Sequence, residues 1–144
     1  MPLTVARLLA SKGQDLWSIA PDATVYDAIA LMAERGIGAL LVMDREQLVG
    51  IVSERDYARK VILQDRSSRE TPVSTIMSTN IVSVRPDQSI EGCMALMTEK
   101  RIRHLPVVQD GRVVGILSIG DLVKFIIADR ENLIEQLEGY ITGR

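Results

Sequence analysis

Apolar side chains at positions 25, 28, 29 and 32 fall at the three- and four-residue spacing of one helix face, and the same spacing returns at 90, 93, 94 and 97. Thr24 and Ser89 stand where an N-cap is needed, and Asp27, three residues on from Thr24, makes a variant of the capping box. Gly36 is placed to end the first helix, and Arg101 holds that place in the second. Each helix is followed by a short apolar run, ALLVM at 39–43 and HLPVV at 104–108, and then by a polar turn, DREQ or QDGR, in which Gly111 suits a positive φ. A second apolar run, LVGIVS or VVGILS, ends in Ser53 or Ser118, and a further helix is predicted from 54–56 and from 119–121. With a short strand near 17–19 or 82–84, each unit reads β-α-β-β-α.

The two units are copies. Residues 18–62 lie over residues 83–127 at an offset of 65 without a gap, and 16 of the 45 positions are identical. Unrelated sequences of ordinary composition would share about two or three. Most differences keep apolar character, as at Val25/Ile90 and Ile29/Met94. A unit of about 60 residues buries only a modest share of its surface alone. The duplication therefore predicts an α+β fold in which two repeats pack with pseudo-two-fold symmetry. Along the chain the repeats are expected at 5–62 and 76–128, with a polar connector at 63–75. Val5-Ala-Arg-Leu-Leu and Val73-Ser-Thr-Ile-Met are expected as matching lead-in helices. A helical tail is expected at 129–144, where Leu133, Ile134, Leu137 and Ile141 form a stripe suited to covering the core or to meeting another subunit.

Composition narrows the function classes. Hydrophobic residues make up 47% of the 144, but aromatics only 3%, so the core is expected to be aliphatic. The net charge of -2, with both signs interspersed, argues against bulk electrostatic attraction to nucleic acid or anionic lipid. Arg45, Arg55, Arg59, Lys60, Arg66 and Arg69 make the first half locally basic, yet stacking aromatics are few. No apolar run approaches the roughly 18 residues of a membrane span. The N-terminal MPLTVARLLASKG lacks a cleavage-type A-x-A, so a cytoplasmic protein is expected. Cys93, the single cysteine, sits on the apolar helix stripe and reads as a buried thiol.

The candidate chemistry lies in Ser53-x-x-Asp56 and Ser118-x-x-Asp121. Either pair can simply cap a helix. A carboxylate at that position, in the mouth of a crevice, can equally accept two vicinal ribose hydroxyls, with helix amides nearby for phosphate. The cations break the symmetry of the copies. Arg55 stands opposite Gly120, and Arg103 and His104 stand opposite Gly38 and Ala39. Pseudo-symmetric packing would bring Arg55, Arg103 and His104 to one anion-seeking crevice and leave the other neutral and roomier. A catalytic reading of Ser53, Asp56 and His104 explains the same residues less well than sugar and phosphate contacts do. Gly36-x-Gly38 is followed by Leu41 and a strand, which breaks the dinucleotide fingerprint. No Walker motif and no metal-ligand spacing occurs in the sequence, so a non-enzyme is expected.

The segments ALMAERGIGALLVMD…LVGIVSERD and ALMTEKRIRHLPVVQDGRVVGILSIGD together resemble a tandem pair of cystathionine beta-synthase (CBS) domains, or Bateman module, over residues 5 to 128. The resemblance implies binding of adenine nucleotides (AMP, ADP or ATP) between the repeats, disc-like homodimers, and regulation of a further, unidentified protein. It implies ribose contacts at Ser53, Asp56, Ser118 and Asp121. Phosphate would be met by Arg55, Arg103 and His104, with Lys124 as a partial substitute in the Asp121 crevice. Adenine would be held at Asn80, Ile81 and Val82 in the first site and at Leu16 and Trp17 in the second. Because Gly38 and Ala39 lack the basic pair, the second site is expected to admit a different ligand, such as NAD; S-adenosylmethionine is a further alternative. With no residues left over for a catalytic or transport domain, a stand-alone sensing module is expected.

Overall fold

A computed structural model of the chain describes residues 3–13 and 15–141, with the backbone alone for Tyr140 and Ile141. Helix α1 spans Val5–Lys12, strand β1 Ser18–Ile19, and α2 Val25–Arg35. Strands β2 (Ala39–Asp44) and β3 (Gln47–Ser53) form an antiparallel hairpin, followed by α3 (Glu54–Tyr57) and a π-helical turn (Ala58–Ile62). After a 3₁₀ turn at Val73–Thr75, the second copy has α4 (Ile90–Lys100), the hairpin β4 (His104–Gln109) and β5 (Arg112–Ser118), and α5 (Ile119–Ile141).

The local chemistry of the copies matches closely. The Thr24 hydroxyl accepts the Asp27 amide at 3.1 Å, and the Ser89 hydroxyl accepts the Gly92 amide at 3.0 Å. Val25, Ala28 and Met32 on α2 are buried, as are Ile90, Cys93 and Met97 on α4. Gly36 closes α2 in the left-handed region at φ 64°, and Arg101 closes α4 at φ 55° despite its side chain. Both hairpins carry a bulge at the same place, between Val42 and Met43 and between Val107 and Val108.

The copies differ where one residue changes the backbone chemistry. β1 pairs in parallel with β2, and the Leu41 amide bonds Trp17 O at 3.3 Å. Position 106, the counterpart of Leu41, is proline and has no amide to donate. The strand expected at 82–84 is accordingly reduced to a single bridge between Val84 and Val107.

The lead-ins depart from expectation in two ways. Only the first is a helix of length. The second is a 3₁₀ turn, because the chain leaves it to pair with β3: the Ser78 amide bonds Ile51 O at 2.8 Å and the Ile51 amide bonds Ser78 O at 3.0 Å. The lead-ins also change places. Val5, Leu8 and Leu9 are buried in the core of the second copy, with Ile90, Cys93, Met97, Leu105, Leu117 and Leu122. Val73 and Ile76 are buried in the core of the first, with Val25, Ala28, Met32, Leu40, Val52 and Val61. Isolated bridges fix both exchanges, Thr4 to Ser89 and Pro72 to Thr24. The packing units therefore differ from the units read along the chain, and each core is closed by a segment that precedes the other copy. At about 1.5–3 kcal/mol for each fully buried aliphatic side chain, the exchange ties the halves together.

The tail is not a separate element. It continues the last helix of the second copy without a break, as α5. Leu133, Ile134 and Leu137 are exposed along it, and the side chain of Ile141 lies outside the described residues. Among the described residues no helix is long and apolar enough to cross a membrane.

Candidate functional site

β3 delivers Ser53 to the edge of the fold, and the turn into α3 makes Asp56 its partner. Asp56 Oδ2 accepts the Ser53 amide at 2.9 Å and the Ser53 hydroxyl at 3.0 Å, while the Asp56 amide donates to Ser53 Oγ at 3.2 Å. This reciprocal capping box fixes the carboxylate at the helix entry. Lys60, on the π-turn, places its ammonium 3.1 Å from Asp56 Oδ1 and 2.8 Å from Ile76 O. A carboxylate oxygen carries two lone pairs, so Oδ1 retains accepting capacity beside that ion pair.

Asp56 opens on a cavity of about 620 Å³. Ser53, Glu54, Arg55, Asp56, Arg59 and Lys60 line one side of it, and Arg101, Arg103, His104, Asn80, Ile81 and Val82 line the other. Five permanent cations thus face two carboxylates, and the cavity attracts anions. Gly38 keeps the strand starts of the two copies close: a β-carbon there would lie 3.2 Å from Glu54 Oε1 and 3.9 Å from the His104 ring. Burial pushes the His104 imidazole below its ordinary value of 6.5; the nearby Asp121 opposes this, and Lys12 and Arg103 reinforce it. The protonated form of the ring is thus disfavoured there.

Asp121 forms the same capping box on the second copy. Its Oδ2 accepts the Ser118 amide at 2.8 Å, and its own amide donates to Ser118 Oγ at 3.1 Å. Here the resemblance between the crevices ends. Lys12, at the end of α1, places its ammonium 2.7 Å from Asp121 Oδ2 and 2.6 Å from Ile116 O. Burial alone would raise the Asp121 carboxyl, but the Lys12 ammonium and the Ser118 hydrogen bonds outweigh it and hold the carboxyl below its usual range. The adjoining cavity is about 310 Å³, lined by Leu8, Ser11, Lys12, Asp121, Lys124, Phe125 and Ala128.

The arrangement gathers Ser53, Asp56, Arg55, Arg103 and His104 around one space, as expected from pseudo-symmetric packing, and Asn80, Ile81 and Val82, implied by the family resemblance, line the same space. It does not do the same around Asp121. Lys124 lines that cavity, but Leu16 and Trp17 do not. Trp17 packs against the core of the first copy beneath the Arg35 guanidinium, 3.9 Å from the ring centroid. The cavity beside Asp121 has half the volume of the first and is lined by two lysines, Lys12 and Lys124, while Gly38, expected in the second crevice, lines the first. The first lead-in stays helical and brings Lys12 to Asp121. Sequence reasoning left Arg59, Lys60, Arg101 and Lys12 unassigned. Arg59 and Lys60 were within reach as residues one turn beyond Asp56. Arg101 and Lys12 carried no local signal, because tertiary packing alone brings them to these cavities.

Comparisons with known proteins agree with this architecture. The sequence profile of the CBS domain matches residues 9–63 and again 73–128. A CBS-domain protein of Burkholderia ambifaria, assigned to signal transduction, is 55% identical; the match covers 88% of this chain and 95% of that one, at a TM-score of 0.85. The mitochondrial CBS domain-containing protein CBSX3 of Arabidopsis thaliana is 39% identical over 97% of this chain and 72% of its own length. The CBS domain pair of protein MJ0100, crystallised with 5'-methylthioadenosine and S-adenosyl-L-methionine, shares the fold at 23% identity and a TM-score of 0.79, over 90% of this chain and 99% of its own. Two profile matches that together span most of the chain, and a relative 55% identical over 95% of its own length, place this chain in the CBS domain family, as a tandem pair.

Proposed function

We propose that the Asp56 crevice binds an adenine nucleotide (AMP, ADP or ATP) and that the chain is a regulatory, energy-sensing module without a catalytic step of its own. One observation carries this reading: a single 620 Å³ cavity joins the Ser53–Asp56 capping box of one repeat to the cations and apolar edge of the other. The volume lies within the roughly 300–1,000 Å³ of small-molecule sites. Asp56 would accept the ribose hydroxyls through Oδ1, with Ser53 beside it. Arg55, Arg103 and His104 would meet the phosphate, joined by Arg101 and Arg59. Asn80, Ile81 and Val82 would hold the adenine face.

The cation excess favours a phosphate-bearing ligand over the sulfonium of S-adenosylmethionine, one of the molecules bound by the MJ0100 pair. In the apo state the cations repel one another across the halves. A bound phosphate removes that repulsion and draws the repeats toward the arrangement that binds it better. The signal would pass by self-association or to a protein partner.

Titration calorimetry with AMP, ADP and ATP tests the reading. We expect binding by the wild type and, for Asp56→Ala, a loss of roughly 10- to 100-fold in affinity, corresponding to the ~1–3 kcal/mol of a set of charge-assisted hydrogen bonds. Unchanged isotherms for the variant would remove Asp56 from the ribose role. The absence of binding to all three nucleotides would remove the function.

A further inference from the structure

Lys12 is the residue that makes the two crevices unequal. The exchanged lead-ins are related by an offset of 68: Thr4 and Pro72 form equivalent bridges, and Leu9 and Met77 pack on the equivalent glycines Gly115 and Gly50. By the same offset, Lys12 is the counterpart of Asn80. In the first crevice the chain leaves its 3₁₀ turn, Ser78 takes up the amide and carbonyl of Ile51, and Asn80 is free to line the cavity. In the second, α1 remains helical through Lys12, and the Ile116 carbonyl, counterpart of that of Ile51, receives the lysine ammonium instead.

The same ammonium lies 2.7 Å from Asp121 Oδ2 and spans 109 residues of sequence to reach it. The pair is not a freely solvated one, since the side chains are 34% and 23% exposed. Lys60 meets Asp56 differently, at the outward Oδ1 and at 3.1 Å, whereas Lys12 meets the capping oxygen of Asp121. Lys60 is an i,i+4 neighbour on the same stretch of chain, and the 620 Å³ cavity remains open beside it. At Asp121 the remaining space is about 310 Å³, at the lower limit of roughly 300 Å³ for small-molecule sites.

We propose that the helical end of α1 and the Lys12 side chain, which replace the cavity-lining Asn80 segment of the first crevice, fill the space beside Asp121, so that each chain takes one adenine nucleotide, in the Asp56 crevice, rather than two. The proposal rests on the nucleotide reading of the Asp56 crevice, and its test separates the two. Calorimetric titration of AMP into the full chain is expected to give one site per chain for the wild type. Lys12→Met is expected to give two sites, and Lys12→Met/Asp121→Asn one again. In the wild type, amide NMR shifts on AMP addition are expected over Ser53–Lys60 and absent over Leu122–Phe125, beyond the Ser118–Ile119 segment that pairs with Arg103 and His104; this measurement needs no variant and stands even if Lys12→Met does not fold. Two sites in the wild type, shifts at Leu122–Phe125, or a single site in folded Lys12→Met would each overturn the role of Lys12 while leaving the Asp56 reading intact. No binding of AMP, ADP or ATP to the wild type would instead defeat the Asp56 reading itself.

Discussion

The carboxylate of Asp56 serves the fold through one oxygen and faces the crevice with the other, since the capping bonds go to Oδ2 and only Lys60 meets Oδ1. Its capping use explains why Ser-x-x-Asp alone does not announce a ligand site: the same geometry recurs at Asp121, where Lys12 joins the Ser118 amide on the capping oxygen Oδ2. Arg101 shows the opposite compromise. It ends α4 with φ 55°, where its counterpart is Gly36, and its side chain lines the crevice. A non-glycine residue in the left-handed region costs about 1–2 kcal/mol. Arg101→Gly is therefore expected to raise stability to chemical denaturation by about 1 kcal/mol while weakening AMP binding. A variant that is both less stable and unaltered in binding would contradict both halves of this account.

At the scale of elements, one lead-in determines each crevice. Gly50 on β3 and Gly115 on β5 are the points where the lead-ins press against the hairpins. A β-carbon at Gly50 would meet Met77 Sδ at 2.6 Å and the Ser78 carbonyl at 3.0 Å. At Gly115 its three nearest neighbours would all be atoms of the Leu9 side chain, with Cδ2 at 2.6 Å. Leu9 can change rotamer, whereas the Ser78 carbonyl is held by the Ile51 amide. Thermal and denaturant melts are therefore expected to show Gly50→Ala destabilised by about 2 kcal/mol and Gly115→Ala by less, within the range for overpacking. Equal losses would mean that the Ser78–Ile51 pairing is softer than its hydrogen bonds suggest. The π-turn belongs to the same scale: it follows α3 only in the first copy and carries Arg59 and Lys60 to the cavity, whereas the second copy runs on as regular helix.

For the whole molecule, exchange of lead-ins couples the halves, and α5 leaves an apolar face outside both cores. Ile119, Val123, Ile127, Leu133, Ile134 and Leu137 are exposed along it. At 100° per residue they fall within an arc of about 120°, on a helix about 35 Å long. We expect this face to serve the self-association proposed above. Leu133→Glu/Leu137→Glu should shift sedimentation toward the monomer while leaving the thermal melt of the fold little changed. Sedimentation identical to the wild type would move the interface elsewhere.

The sequence by itself determined the duplication, the order of the elements, the caps at Thr24, Ser53, Ser89 and Ser118, and the meeting of Arg55, Arg103 and His104 with Asp56. These follow from periodicity and local hydrogen bonding, which act over a few residues, and from the unbroken 65-residue offset. Only the tertiary structure decided which core each lead-in fills, that Trp17 packs against the first core, and that Lys12 meets Asp121. Those outcomes depend on contacts between residues as distant as Lys12 and Asp121. They turn on backbone choices, such as a helix continued for one more turn or a proline in place of an amide donor, whose consequences appear only when the halves pack.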